Sequence, residues 1–157
     1  MPSAIDHVVR ELQQIAAGAG ARSDRARLAA AAIRAAGRYR WTGLYDVGPE
    51  TIRVIAWDGP GPPTYPAFSV TQGLNGAAVA SGEPVIVQDV SRDPRYLTTL
   101  GSTRAEMIMP VRAGPGGRVI GTIDVESDQA NPFGERDREL LGAAARALVA
   151  FWESPDG

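Results

Sequence analysis

The chain has no cysteine and no lysine, and it has one histidine, His7, among its 157 residues. Without cysteine it can form no disulfide, no thiolate nucleophile and no cysteine-ligated metal site, and without lysine it can form no Schiff base. His7 falls in a helical pattern, which favours an ordinary helix residue over a haem ligand or a member of a catalytic pair. The composition therefore predicts no cofactor and no metal site.

Charge and hydropathy exclude further classes of partner. The 16 basic and 18 acidic side chains give a formal charge of -2, which supplies no electrostatic reason to bind nucleic acid or an anionic membrane. The first residues, MPSAIDHVVREL, carry charges within their apolar positions, so they predict neither a signal peptide nor a membrane anchor. We therefore expect a cytoplasmic protein with no nucleic-acid partner and no membrane partner.

The order of the patterns is helix, then strand, then helix, with no repeat and no long linker. An apolar content of 44% is enough for a real core. We predict a single domain over residues 1–157, with helices in 1–37, a sheet and its pocket loops in 38–134, and a last helix in 135–153.

Helical periodicity marks both ends of the chain. Apolar residues recur at helical spacing from Ile5 to Ile15, and a second helix is predicted from Ser23 as its N-cap to Gly37. A third runs from about residue 135 to 152 with a stripe of leucine, alanine and tryptophan. The alanine-rich second helix and the apolar last helix offer close-packing faces, so we expect a homodimer.

β-rich runs fill the middle of the chain and predict an antiparallel sheet. Two hairpins are indicated by glycine-containing turns, at Gly48-Pro49-Glu50 and at residues 114–117. The predicted strands and the short helix between them cover residues 41–47, 51–57, 67–70, 74–82 (the helix), 84–90, 106–113 and 118–127. The Gly- and Pro-rich segment 58–66 cannot continue a strand and is expected to cross the sheet or cover a pocket mouth.

The strand RVIGTIDVES carries two acids in an otherwise apolar pattern. Alternation places Thr122, Asp124 and Glu126 on one face, and the neighbouring strand of the hairpin could add Glu106 to the same face. An exposed sheet face would explain these acids without any function. The alternative is a pocket that accepts a cation, because three adjacent carboxylates raise each other's pKa unless a positive charge lies among them.

Five segments together resemble a GAF domain: WTGLY, GLNGAAVASGEPVIVQDVSRDPRY, EMIMPV, GTIDVES and PFGERDRELL. Within that family the chain is most similar to the free methionine-(R)-sulfoxide reductases. The resemblance implies an α+β fold, with an antiparallel sheet of about six strands, helices packed on one face and a ligand pocket on the other. It also implies that carboxylates matching Glu106, Asp124 and Glu126 hold the ligand's ammonium group, with Trp41 and Tyr45 on the aromatic strand.

The catalytic thiols of those reductases have no counterpart here. Asn75 stands at the glycine-flanked position of one cysteine, and the loop from Tyr96 to Gly101 offers threonines where another is expected. Neither side chain can form a sulfenic acid or a disulfide. On this ground the sequence predicts that the chain is not an enzyme and that it binds a ligand through Trp41, Tyr45, Asn75 and the three acids.

Several functions remain open at this point. The leading prediction is a sensor or scavenger of a small amine-bearing ligand, such as a free amino acid. The main alternative is a dimerisation or structural module with a vestigial pocket. An enzyme using the acids for general acid-base chemistry, and a cyclic-nucleotide binder suggested by the spacing of Phe133 and Asp137, are less favoured.

Overall fold

The computed structural model describes residues 2–154, so residues 1 and 155–157 of the predicted domain lie outside it. In this part of the chain the helices are α1 (Ala4–Ala17), α2 (Arg22–Gly37), α3 (Gly73–Ser81) and α4 (Glu135–Glu153). The strands are β1 (Trp41–Val47), β2 (Thr51–Asp58), β3 (Ala67–Ser69), β4 (Val85–Val87), β5 (Ala105–Arg112) and β6 (Val119–Ser127). A 3₁₀ turn, Val90–Arg92, follows β4.

The strands form one antiparallel sheet in the order β3-β2-β1-β6-β5-β4. Local turns explain the hairpins β1–β2 and β5–β6. The central pairing of β1 with β6 joins segments that lie far apart in the sequence, and it places Trp41 opposite Glu126. The predicted α+β class with a sheet of about six antiparallel strands is confirmed.

The main core lies between the sheet and the helices α1, α2 and α4. Leu12, Ile33 and Leu141 are buried there against Met107 and Ile123 from the two central strands. Their neighbours Glu106, Asp124 and Glu126 therefore point to the opposite face of the sheet, because side chains alternate along a strand. The helices α1, α2 and α4 thus cover one face, and the other face, on which only the short helix α3 of the described residues packs, carries the candidate site.

The structure corrects some predicted element boundaries. Helix α2 begins at Arg22 with Ala21 as its N-cap, so Ser23 lies inside the first turn and is not the cap. The Arg22 guanidinium pairs with Asp46 of β1 and lies over the Phe151 ring, and these tertiary contacts hold the first turn in place. The short strands are also trimmed to residues 67–69 and 85–87.

Arg25 joins three helices in the buried layer. Its guanidinium donates to the carbonyl oxygens of Ile15, Ala16 and Gly18, at 3.4, 3.0 and 3.2 Å, at the end of α1. It also lies 5.3 Å from the centre of the Phe151 ring. A cation here adds donors to the carbonyls at the C-terminal end of α1 and opposes the negative end of the helix dipole.

We expect Arg25→Met to lower the free energy of unfolding by about 2 kcal/mol, because three carbonyl acceptors and one cation-π contact are lost together. Urea denaturation followed by circular dichroism measures the change. Arg27→Met, on the exposed side of the same helix, is the matched control. Equal stability of the two variants would show that Arg25 does not stabilise the junction.

None of the helices in residues 2–154 combines the length and apolarity that crossing a membrane requires.

Candidate ligand-binding site

Three carboxylates meet on the face of the sheet opposite the main core. Glu106 of β5 pairs directly with Glu126 of β6, and Asp124 lies two residues along the same face. One oxygen from each of the three side chains lies within 4.8 Å of the others. Glu106 is 2% exposed, and Asp124 and Glu126 are fully buried. We call these three residues the acidic triad. Because the triad is buried, the acids do not lie on an exposed face of the sheet.

Two roof loops, residues 59–66 and 93–104, close over the triad. Both the backbone N–H and the hydroxyl of Thr64 donate to the carbonyl oxygen of Thr99, each at 2.9 Å, and so join the two loops. The indole N–H of Trp41 donates to the carbonyl oxygen of Gly61 at 3.0 Å. The predicted position of the Gly- and Pro-rich segment over a pocket mouth matches this arrangement.

Polar side chains hold two of the acids in fixed orientations. The Asn75 amide of α3 donates to Asp124 Oδ2 at 3.0 Å, and its carbonyl oxygen accepts from the Thr122 hydroxyl at 2.6 Å. The Thr103 hydroxyl donates to Glu126 Oε1 at 2.7 Å. Asn75 therefore connects the start of α3 to β6 and belongs to the site as a positioning residue.

Two oxygen atoms of the triad lack a donor in the part of the chain that the structure describes. Asp124 Oδ1 and Glu126 Oε2 are buried without a hydrogen-bond partner in residues 2–154. None of the ion pairs described in that range includes a triad residue. Buried carboxylate oxygens without a donor are costly, so the site is suited to a group that brings donors and positive charge.

The mutual repulsion of the triad can be compared with the stability of a domain. At 4.8 Å, and with an effective dielectric constant of about 20, each pair of full charges repels by about 3 kcal/mol. Three such pairs amount to about 10 kcal/mol, which is similar to the whole stability of a typical domain. The fold therefore cannot carry three ionised carboxylates without a compensating positive charge.

The pKa values follow from this environment. Burial, then the charges of Asp124 and Glu126, raises the pKa of Glu106 well above its usual range. Burial raises the pKa of Asp124 to about 6, although hydrogen bonds from Glu106 and Asn75 act in the opposite direction. Burial, then the charge of Asp124, also raises the pKa of Glu126. The triad therefore binds protons more tightly than three exposed carboxyl groups would.

Aromatic side chains line the same face beside the triad. Trp41 and Tyr45 are buried with ring centres 6.4 Å apart, and Tyr45 lies edge-on to Phe68 at 5.8 Å. Gly43 lies between Trp41 and Tyr45 on β1 and opposite Asp124. A side chain at this position would collide with the Trp41 ring, so glycine is needed. Burial and the charges of the triad raise the pKa of Tyr45, so its hydroxyl stays neutral.

A small cavity of about 10 Å³ reaches the triad at Glu106. It is lined by residues from β1, α3 and the roof loops, among them Tyr45, Tyr65, Asn75 and Thr99. A volume of this size holds about one water molecule. A larger ligand could enter only if the roof loops separated.

The structure places the predicted site residues together and adds some that the sequence did not indicate. All six predicted binding residues lie on or beside this face: Trp41, Tyr45, Asn75, Glu106, Asp124 and Glu126. Thr103 and the roof residues Thr64 and Tyr65 were not predicted, because isolated polar residues in loops carry no periodic signal. His7 lies exposed on α1, which belongs to the other face of the sheet.

Asp137 has a structural role that explains its spacing from Phe133. Its carboxylate accepts from the backbone N–H of Gly134 at 2.9 Å and from the Tyr39 hydroxyl at 2.7 Å. These bonds fix the start of α4, and Phe133 is buried beside Tyr39. The spacing that suggested a cyclic-nucleotide binder is thus the signature of a helix start.

Fold and site together define an α+β domain of the small-molecule-binding and sensor class, with a polar pocket enclosed between the sheet and two loops. The family model of the GAF domain matches residues 3–150, so the chain belongs to the GAF domain family. The predicted family is confirmed.

The relatives similar to part of this chain include a reductase. YtsP of Bacillus subtilis is 26% identical over 108 residues, which cover 69% of this chain and 65% of that protein. Free methionine-R-sulfoxide reductase of Saccharomyces cerevisiae is 29% identical over 77 residues, which cover 49% of this chain and 42% of the enzyme. The chain thus spans less than two thirds of the length of either relative.

A solved structure from Neisseria meningitidis extends the similarity to nearly the whole chain. It is a free methionine-R-sulfoxide reductase in complex with its substrate, and it superposes with a TM-score of 0.82 at 25% identity. The superposition covers 95% of this chain and 88% of the reductase.

These comparisons correct the prediction that the chain is not an enzyme. A named relative and a structural neighbour at 25% identity are both enzymes, so the conclusion drawn from the composition is wrong. The physical reason is that the absence of cysteine removes only the thiol route, whereas function depends on the chemistry of the whole site, which here still offers three carboxylates. The expectations of a homodimer and of a cytoplasmic location stay predictions.

Proposed function

We propose that this GAF domain binds a small ligand with a positively charged amine, such as a free amino acid, and acts as its sensor or scavenger. The observation that carries the proposal is the buried acidic triad, whose Asp124 Oδ1 and Glu126 Oε2 have no donor in residues 2–154. An ammonium group brings three N–H donors and one positive charge. It would therefore satisfy the unpaired oxygens and reduce the repulsion at the same time.

Two further observations support an amino acid of the methionine type. The wall of Trp41, Tyr45 and Phe68 beside the triad offers apolar surface for a side chain. The relatives from yeast and Neisseria are named for free methionine-R-sulfoxide, an amino acid with a free amine. Methionine and its sulfoxide are accordingly the first ligands to test. Their binding requires the roof loops to open, because the present cavity holds about one water molecule.

Calorimetric titration tests this function with pairs of compounds that differ only in whether the amine is free or acetylated. L-Methionine and L-methionine-R-sulfoxide are expected to bind, and their N-acetyl forms are expected to bind at least about thirtyfold more weakly, because acetylation removes the charge that the buried carboxylates require. A simple alkylamine reports the contribution of the ammonium group alone.

Two results would contradict the proposal. Equal affinity for the free and acetylated forms would show that the triad does not recognise the amine. Binding of none of these compounds would favour the alternative, a structural module with a vestigial pocket, and sedimentation of the full chain would then test for the expected dimer.

A further inference from the structure

Within residues 2–154, none of the described ion pairs brings a positive side chain to the triad. The groups that face it are the Tyr45 hydroxyl from β1, the Asn75 amide from α3, and Tyr96 together with three threonines from the roof loops and β6. Tyr65, from the other roof loop, also lines the cavity. None of these groups is basic. Charge balance in the ligand-free protein must therefore come from protons or from a bound cation.

Glu106 occupies the position from which a proton can be shared. It lies directly opposite Glu126 in the sheet, and one of its carboxyl oxygens lies within 4.8 Å of a carboxyl oxygen of both Asp124 and Glu126. Two ionised carboxylates are acceptors only, so a hydrogen bond between them requires a proton on one member. A proton on Glu106 also supplies a donor to Asp124 or Glu126, each of which has one oxygen that lacks a hydrogen-bond donor in residues 2–154.

We propose that the ligand-free triad is held together by a proton shared around Glu106, and that an incoming amine displaces this proton to solvent. The second half of this inference rests on the proposed function, whereas the first half concerns the empty protein alone. The domain would then couple the occupancy of its pocket to the pH of its surroundings.

The exchange is balanced in atoms and charge. The ligand enters as an intact ammonium ion, and no covalent bond to carbon or nitrogen changes. The O–H bond of the Glu106 carboxyl group breaks, its proton goes to a water or buffer base, and the resulting carboxylate accepts an N–H donor of the ligand. One positive charge thus replaces another within the triad.

The first experiment examines the proton without any ligand. Infrared spectra of the metal-free full chain at about pH 7 are expected to show a protonated carboxyl band, because a buried and crowded acid keeps its proton above its usual range. The band should disappear in Glu106→Gln and persist in Glu83→Gln, an exposed control on the segment before β4. Glu126→Gln serves as the second variant if Glu106→Gln does not fold.

The second experiment counts the protons released on binding. L-Methionine is titrated in two buffers of different ionisation enthalpy. The apparent binding enthalpies are expected to differ by the difference between the two ionisation enthalpies, multiplied by about one proton released per ligand. The affinity should also rise by up to about tenfold per pH unit while the triad is still protonated.

The outcomes separate the two halves of the proposal. Absence of the band, its persistence in Glu106→Gln, or a metal ion co-purifying at one per chain overturns proton sharing. Methionine binding with no dependence on buffer overturns displacement. A band that behaves as expected, in a protein that binds no amine, supports proton sharing and instead overturns the proposed function.

Discussion

Asp124→Asn is expected to weaken the binding of an amine ligand by at least about thirtyfold, the range found when one partner of a buried charge pair is removed. Asp124 is fully buried at the centre of the face, and its Oδ1 atom has no donor in residues 2–154. Asparagine keeps the shape but removes the charge and adds an N–H₂ donor, which repels an ammonium group. Calorimetric titration of both proteins with methionine measures the difference.

Asp128→Asn is the matched control for this change. Asp128 follows β6, is exposed, and loses the same charge when it is replaced by asparagine. Its affinity for the amine is expected to stay within about twofold of the unmodified chain, because an exposed charge is screened by water and salt. If the two variants lose affinity equally, the effect is one of net charge, and the triad is not the amine site.

Glu106→Gln is expected to stabilise the folded domain increasingly as the pH rises above 4.5, the usual pKa of this carboxyl group, and to have little effect in acid. A buried acid whose pKa is raised binds its proton more tightly in the folded protein than in the unfolded protein. The folded protein therefore becomes less stable as the pH rises from the pKa of the unfolded state to that of the folded state. For Asp124 that interval runs from 3.8 to about 6. At ~1.4 kcal/mol per unit, its ionisation therefore costs the fold about 3 kcal/mol.

The expected pH profile follows from the same signs. The unmodified chain should be most stable near the acidic end of the interval and lose stability as the pH increases through about 6 and beyond, since Glu106 and Glu126 also have raised pKa values. The Glu106→Gln substitution removes one ionisable group and its repulsion of the other two acids, so the free energy of unfolding should depend less on pH. At alkaline pH the variant is expected to be about 2 kcal/mol more stable than the unmodified chain.

Urea denaturation at a series of pH values measures both curves, with Glu83→Gln as the exposed control. The interpretation of the triad as a strained, partly protonated cluster predicts that only Glu106→Gln changes the slope. A variant that is less stable than the unmodified chain at every pH would show that Glu106 stabilises the fold as a charged group.

Much of the fold could be predicted because its signals are local. The turn around Pro49 and the glycine-rich turn at 114–117 each join two neighbouring strands, and alternation along RVIGTIDVES assigns Ile123 and Val125 to the core. The weaker predictions lie at element ends. Ser23 has the chemistry of an N-cap, but the contacts of Arg22 with Asp46 and Phe151 determine where α2 begins.

The candidate site could be predicted only in part. The acids on one strand follow from a period of two, and Glu106 follows from the hairpin that places β5 beside β6. The partners Thr103 and Asn75 come from a loop and from another helix, so neither periodicity nor spacing indicates which acid each one contacts. The size of the cavity depends on how two loops meet, which no local pattern encodes.

By itself, the sequence excluded thiol and Schiff-base chemistry, because it contains no cysteine and no lysine. It also determined the two hairpins and the shared face of Asp124 and Glu126, since turn residues and side-chain alternation are properties of the chain. Only the tertiary structure decided whether that face is exposed or closed. The pairing of β1 with β6 and the contact between Thr64 and Thr99 join residues distant in sequence, and they bury the acids away from water. Burial converts three ordinary carboxylates into a site that requires a positive charge.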